Sequence, residues 1–398
     1  MARKGQLVPS WPLIVGLAFF IRALAQPMAL LNPDTYLHIA TGRWMLAHMA
    51  LPVHDPFSYS LSGTTWVPHE WLAEIVLAAV YGLAGWSGPV LLTAAAFAAS
   101  LALLARFLLR SAEPFSTLIA AALGGALVLG HLLVRPHLLA LPLLVLWSRA
   151  LLVARDTGSG PPFRLLLVMA LWANLHGSFM FGLALAAFLA AEAMLAPERR
   201  AHEARRWAGF SLLAFAAALL TPIGMAGFFE PLRLMAMPAL QESFGEWLSP
   251  NFQTFQPLEI WLLGIIALGF TIGVRLPLSR LLLLLALCHM ALGHARHAEL
   301  LGLVGPLAVA ATLGPPIAAR IRSMPVSALS RGAVRLAVPA APPAVKLVIA
   351  ISFVISLPLL LWPIERAGDP VTRRRHSPPQ RGWGLMAPSL TAKALAAI

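Results

Sequence analysis

Between Asn32 and Glu70 the chain gathers Asp34, His38, Arg43, His48, His54, Asp55, His69 and Glu70. A carboxylate here can take a proton from a hydroxyl or ligate a divalent cation. Imidazoles can hydrogen-bond phosphate or shuttle protons near neutral pH, and a guanidinium offers planar, paired donors to phosphate. Asp34 leads the set. It follows the first apolar run directly, where a carboxylate would meet a substrate carried in the lipid. Pro33 before it, with Tyr36, Ala40 and Arg43 after it at helical spacing, predicts a surface helix that begins at Asp34. The competing structural reading is an acid stabilised by the dipole at the helix start. Asp55, ahead of Pro56 in Pro52–Ser58, is either a second site acid or a turn former. Glu70, in His69-Glu70-Trp71, is either a cap or a second site carboxylate; Glu74, one turn on, is the weaker candidate.

Three short turns carry similar chemistry. Arg135-Pro136-His137, Asn174-Leu175-His176-Gly177 and His294-Ala295-Arg296-His297 each join two apolar runs with few residues, so their side chains are held rigidly. Arg135 and Arg296 read as phosphate clamps. Asn174, His137, His176 and His297, with His38, Arg43 and His69, read as substrate- or phosphate-binding groups. Loop-end capping or snorkelling is the bland alternative for each. The His294/His297 pair is too small to define a metal site. A second long polar segment, 224–256, holds Glu230, Arg233, Glu242, Glu246 and Trp247. Phe228, Phe229, Leu232, Leu234 and Met235 mark part of it as interfacial. No Walker loop, dinucleotide fingerprint, hydrolase elbow or zinc motif is present.

The elements that must position these residues are apolar. The chain is 59% hydrophobic and 11% charged, against about a quarter charged in soluble domains. Its apolar runs are continuous, which predicts membrane-spanning helices rather than a barrel. The runs are 12–31, 88–109, 115–134, 137–154, 163–179, 180–196, 207–223, 257–273, 281–296, 298–318 and 344–362. Segment 71–86 is short, contains Glu74 and reads as re-entrant or interfacial. Leaving it uncrossed puts Arg106, Arg110, Arg155, Arg164, Arg199, Arg200, Arg205, Arg206, Arg275, Arg280 and Arg320 on the side of Arg3 and Lys4. The positive-inside rule then makes that side cytoplasmic. Every histidine but His202 falls at or beyond the other face, which points to an outward-facing polar site. The net charge of +13 is accounted for by these loop arginines. Nucleic-acid binding is excluded as a reading, because no basic module interleaved with aromatics is present. The lone Cys288 reads as packing. The expected fold is an all-α polytopic membrane protein of about eleven spans, with surface-lying or re-entrant helices in the first outer loop. Residues 321–343 read as a linker and 363–398 as a polar tail.

This layout resembles the GT-C class of integral membrane glycosyltransferases. The resemblance rests on Asp34 after the first span, on Tyr36…Ala40…Gly42, on His69-Glu70-Trp71-Leu72 before an apolar helix, and on the second long loop 224–256. The Asp-Pro-Phe-Ser, His-Glu-Trp-Leu and Asn-Leu-His-Gly elements are similar to a bacterial set of GT-C-like membrane proteins, over residues 12–362. It implies transfer of a sugar from a polyprenyl-phosphate donor to a lipid, glycan or protein acceptor, at the outer face of a bacterial inner membrane. It also implies Asp34 as base or metal-linked carboxylate, with Mg or Mn as the cation, and Arg135 or Arg296 on the lipid phosphate. Asp34 is followed by Thr35 where that class often pairs acids, so Asp55 or Glu70 would supply the second carboxylate. The tail 363–398 is where that set continues into a further outer domain, here read as truncated. Two other readings stay open. A transporter or flippase of lipid-linked sugars would use an acid inside a span, for which Glu192 is the candidate. A non-catalytic partner in polysaccharide assembly would not need Asp34.

Overall fold

The computed structural model describes residues 10–26, 30, 32–195, 201–237, 245–273 and 275–323. The expected span 344–362, the linker from 324 onward and the tail 363–398 lie outside the described residues, as do Arg3, Lys4, Arg199, Arg200 and Glu242. Among the described residues the regular structure is helical. The helices are α1 (Trp11–Leu24), α2 (Pro33–His48), α3 (Trp71–Ala84), α4 (Ser87–Leu108), α5 (Pro114–Leu129), α6 (Pro136–Thr157), α7 (Leu165–Leu175), α8 (Phe179–Leu195), α9 (Ala201–Ala218), α10 (Met225–Met235), α11 (Pro257–Ile272), α12 (Leu278–Gly293) and α13 (Ala298–Ser323).

All of these except α2, α3 and α10 run alternately between two ends of one bundle. Phe19 of α1 meets Phe97 of α4 edge-on, with ring centroids 5.5 Å apart, so α4 returns along α1. A tight crossing joins α5 to α13, where a Cβ at Gly302 would come within 3.1 Å of the Gly124 Cα. Trp147, Trp172, Trp207, Phe97 and Phe210 fill the core. Outward-facing side chains are also apolar, with Phe270 89% and Leu167 77% exposed. A bundle that is apolar both inside and around its waist belongs in lipid. Helices α4 and α6 and the stretch 295–321 are long and apolar enough to cross a bilayer, and seven shorter apolar helices accompany them. The architecture is that of a helical membrane-embedded protein.

Helix α3 does not run from one end to the other. Its first residue, Trp71, donates its indole N–H to Asn174 at the end of α7, 2.8 Å away. Beyond its last turn, Trp86 packs on Tyr36 at the start of α2, with ring centroids 4.9 Å apart. Both ends therefore lie at the same end of the bundle, here called the site end. Helix α2 lies alongside α3 in parallel, and α10 caps the same end through Pro231, which packs near Gly177.

Two expectations shift. The run read as 207–223 is a helix over Ala201–Ala218. It starts earlier because Glu203 pairs with the buried Arg155 at 3.0 Å, which extends the helix into charged sequence. Glu192, read as an acid within a span, sits at the far end instead. There it faces Arg155 at 3.3 Å and Arg280 at 3.5 Å, and Arg280 also pairs with Asp156. This cluster ties together the far ends of α6, α8, α9 and α12.

Candidate active site

The start of α2 is built by its capping residues. The Asn32 side chain accepts the Asp34 N–H at 2.8 Å and Pro33 supplies a preset first turn. Thr35 then donates its hydroxyl to the Val134 carbonyl at 2.9 Å. That bond fixes α2 against the turn before α6, where Arg135 is the N-cap and Pro136 the first helical residue. Asp34 and Arg135 consequently meet, 2.8 Å apart. On its other side the Arg135 guanidinium donates to both oxygens of Glu246, each at 2.9 Å.

Glu246 is carried by a short 3-10 turn, Gly245–Trp247, seated on the turn between α12 and α13. His294 donates from Nδ1 to the Trp247 carbonyl at 2.6 Å, and the Ala295 N–H donates to the Leu248 carbonyl at 2.9 Å. Arg296 from that turn lies over the Trp247 ring at 4.4 Å and comes within 3.7 Å of Glu246. Asp34, Arg135, Glu246 and Arg296 thus alternate in sign along one line. Burial pushes the Glu246 carboxyl up, but Arg135 and Arg296 outweigh it and hold the group below its ordinary value.

Beside this line, three imidazoles surround Glu70. Their Nε2 atoms lie 3.3 Å (His176), 3.8 Å (His38) and 3.8 Å (His69) from its oxygens. The Ser178 N–H donates to His176 Nδ1 at 3.1 Å, so the His176 proton sits on Nε2 and points at Glu70. His38 points its Nδ1 the other way, to the buried Glu74 carboxylate at 3.0 Å. Burial opposes charge on His38, yet the bond to Glu74 and the nearby Glu70 and Asp34 raise it above its ordinary value. His176 is the reverse case: burial, with His137 and Arg296 nearby, holds it well below. The His137 ring is 6.0 Å from that of His176. Asn174 accepts from Trp71 and donates to the Ala170 and Leu220 carbonyls, which locks the end of α7 to α3 and α9. An apolar groove of about 570 Å³ opens there, lined by Trp71, Leu72, Leu171, Leu220 and Thr221.

Of the residues singled out in the sequence, Asp34, His38, His69, Glu70, Arg135, His137, Asn174, His176 and Arg296 come together at this one end. His297 sits at the margin, its ring 5.2 Å from that of His294. Asp55 does not join them. Its carboxylate accepts the Phe57 and Ser58 N–H groups at 2.8 and 3.0 Å, as a turn former does. Arg43 lies about a turn and a half along α2 from His38, on a separate groove with Leu46, Tyr81 and Gly82. Sequence reasoning ranked Glu74 low and gave Glu246 and Trp247 no role. The signal for Glu246 was an acid beside Trp247 in the second long polar segment, facing an end that carries single arginines. The Asp34 carboxylate is turned to the Arg135 guanidinium, and among the described residues no group of three or more His, Cys, Asp or Glu is placed to hold a metal ion. Compared with known family models, curated proteins and solved structures, the chain matches none.

Proposed function

We propose that the protein is a membrane glycosyltransferase that moves a sugar from a polyprenyl-phosphate donor to a hydroxyl acceptor at the outer face of a bacterial inner membrane. One observation carries this reading: Asp34, Arg135, Glu246 and Arg296 converge, beside the Glu70 imidazoles, at one end of an apolar bundle. A lipid-borne phosphate arrives at that depth, and arginine is the side chain suited to hold it. The groove at Trp71 and Leu220 offers an apolar lodging for part of the lipid chain. The basic residues Arg106, Arg110, Arg155, Arg164, Arg205, Arg206 and Arg280 lie at the far end, which supports a cytoplasmic far end and an outward-facing site.

In this reading the acceptor oxygen attacks the anomeric carbon. The bond from that carbon to the phosphate oxygen breaks, and the electron pair leaves with the polyprenyl phosphate. The hydroxyl proton passes to Asp34, and Arg135 and Arg296 stabilise the charge on the departing phosphate. Glu192, the acid a transporter would use, is paired with arginines at the far end, which favours surface chemistry over the transporter reading.

The test is transfer by purified protein from a panel of polyprenyl-phosphate sugars, with Asp34→Asn alongside. The expected outcome is transfer by wild type and a loss of about 10²- to 10⁴-fold in the variant, with folding intact. Undiminished transfer by the variant would remove Asp34 from the chemistry. No transfer from any donor to lipid, glycan or protein acceptors would favour the role of a non-catalytic partner.

A further inference from the structure

Arg135 and Arg296 already share an anion. Glu246 places its carboxylate within 2.9 Å of one and 3.7 Å of the other. The turn that carries it is held by the Ala295 N–H on the Leu248 carbonyl and by His294 Nδ1 on the Trp247 carbonyl. Ser249 adds a bond from its hydroxyl to the Gly293 carbonyl at 3.2 Å. Trp247 covers the outer face of Arg296. With Asp34 as the second acid, two guanidinium charges face two carboxylates along the line itself, while Glu70 and Glu299 lie near enough to act on Arg135 and Arg296 from beside it. The line of four is neutral as it stands.

A phosphate brought to these arginines while Glu246 remained would face two carboxylates, and the Arg135 N–H groups that bond Glu246 and Asp34 would not be open to it. A phosphate diester carries one negative charge, the same as the carboxylate, and a monoester such as geranyl phosphate carries between about one and two near neutral pH. Exchange for Glu246 leaves the line within about one charge of neutral, whereas addition leaves it more negative. We infer that Arg135 and Arg296 form a phosphate site that Glu246 occupies in this structure as an internal stand-in, so that a phosphorylated lipid binds by displacing the Gly245–Trp247 turn. The inference rests on the proposed function for its ligand class and deepens it: the Gly245–Trp247 turn is a self-inhibiting occupant of the site. A merely supporting Glu246 has the opposite consequence, since its removal would then loosen the arginines and weaken anion binding.

The experiment is calorimetric titration of the full-length protein in detergent with geranyl phosphate, geraniol and inorganic phosphate, for wild type and Glu246→Gln. Glu246→Gln is expected to bind geranyl phosphate about tenfold more tightly than wild type, as befits the loss of a competing charge pair. Geraniol binding should not change. Tightening for inorganic phosphate as well would make the site one for phosphate in general; tightening for geranyl phosphate alone would tie it to the lipid. Equal or weaker geranyl phosphate binding by the variant overturns the stand-in role, and no binding by either protein overturns the phosphate site. Should Glu246→Gln fail to fold, Glu246→Asp keeps the charge but shortens its reach. It is expected to tighten binding by a smaller factor, and an unchanged or weakened affinity there is equally adverse. Binding does not require turnover. Failure of sugar transfer with the exchange intact would reject the reaction and leave the site.

Discussion

Two histidines that touch the same carboxylate carry opposite electrostatic histories. His176 is buried with its proton directed at Glu70, and is held well below its ordinary value near 6.5. The unfolded chain protonates there, so the unfolded state binds more protons as pH falls below about 6.5, and stability is lost in that direction. His38 is raised above 6.5 by Glu74 and Glu70. Its contribution is complete below that value and disappears as pH rises through the higher folded one. The expected outcome is a thermal midpoint that falls between pH 7 and pH 5. His176→Gln should flatten that acid limb, and Glu74→Gln should flatten the decline on the alkaline side. Melting curves in one detergent across pH 5 to 8.5 check both. An acid limb unchanged in His176→Gln would assign it to other groups, of which His131, also lowered by burial, is one.

The element that brings His38 to Glu74 is the parallel pair α2 and α3, and its contact depends on Gly42. A Cβ at that position would lie 2.0 Å from the Glu74 carbonyl oxygen and 2.8 Å from the Ala78 Cβ. The first of these is backbone, which cannot swing aside. Gly42→Ala must therefore push α2 off α3, at a cost of about 1–3 kcal/mol. Gly82, in the last turns of α3, has nothing within 4 Å of its would-be Cβ. Gly82→Ala is expected to be neutral or stabilising by up to about 1 kcal/mol through helix propensity. Comparing the two melts isolates the close approach from the general effect of adding a methyl. Equal shifts in both variants would mean that the helices tolerate separation. The start of α2 was legible in the sequence because Asn32-Pro33-Asp34 is a local signal, with cap, first turn and acid adjacent in the chain. The partnership of His38 with Glu74 was not. It joins residues 36 apart through a packing that apolar pattern alone does not specify. Glu246 was hidden for the same reason: its partners are Arg135 and Arg296, brought to it only by the closing of the bundle.

At the scale of the molecule, what the sequence made legible was the alternation of apolar helices and the segregation of charge to their ends. Both follow from a physical rule that acts residue by residue, since charge within hydrocarbon is costly and backbone there must bond internally. The two ends are built differently. At the far end the buried Arg155 and Arg280 are matched by Glu192, Glu203 and Asp156, which fastens α6, α8, α9 and α12 to one another. The site end instead keeps two helices, α2 and α3, lying across it, and their shallow course is what brings Asp34 and Glu70 toward Arg135. That course is testable by cysteine labelling in a Cys288→Ala background. Ser60 lies in the loop between α2 and α3, Ala84 at the last residue of α3, and Ser159 in the turn after α6, all exposed. With a membrane-impermeant maleimide, Ser60→Cys and Ala84→Cys are expected to react in intact spheroplasts, and Ser159→Cys only in inverted vesicles. If Ala84→Cys and Ser60→Cys instead react from opposite sides, with Ser159→Cys on the side of Ser60→Cys, α3 crosses the bilayer. The helices after it then reverse their orientation, and Arg135, Glu246 and Arg296 fall on the opposite face from Asp34, where no single substrate could meet them together.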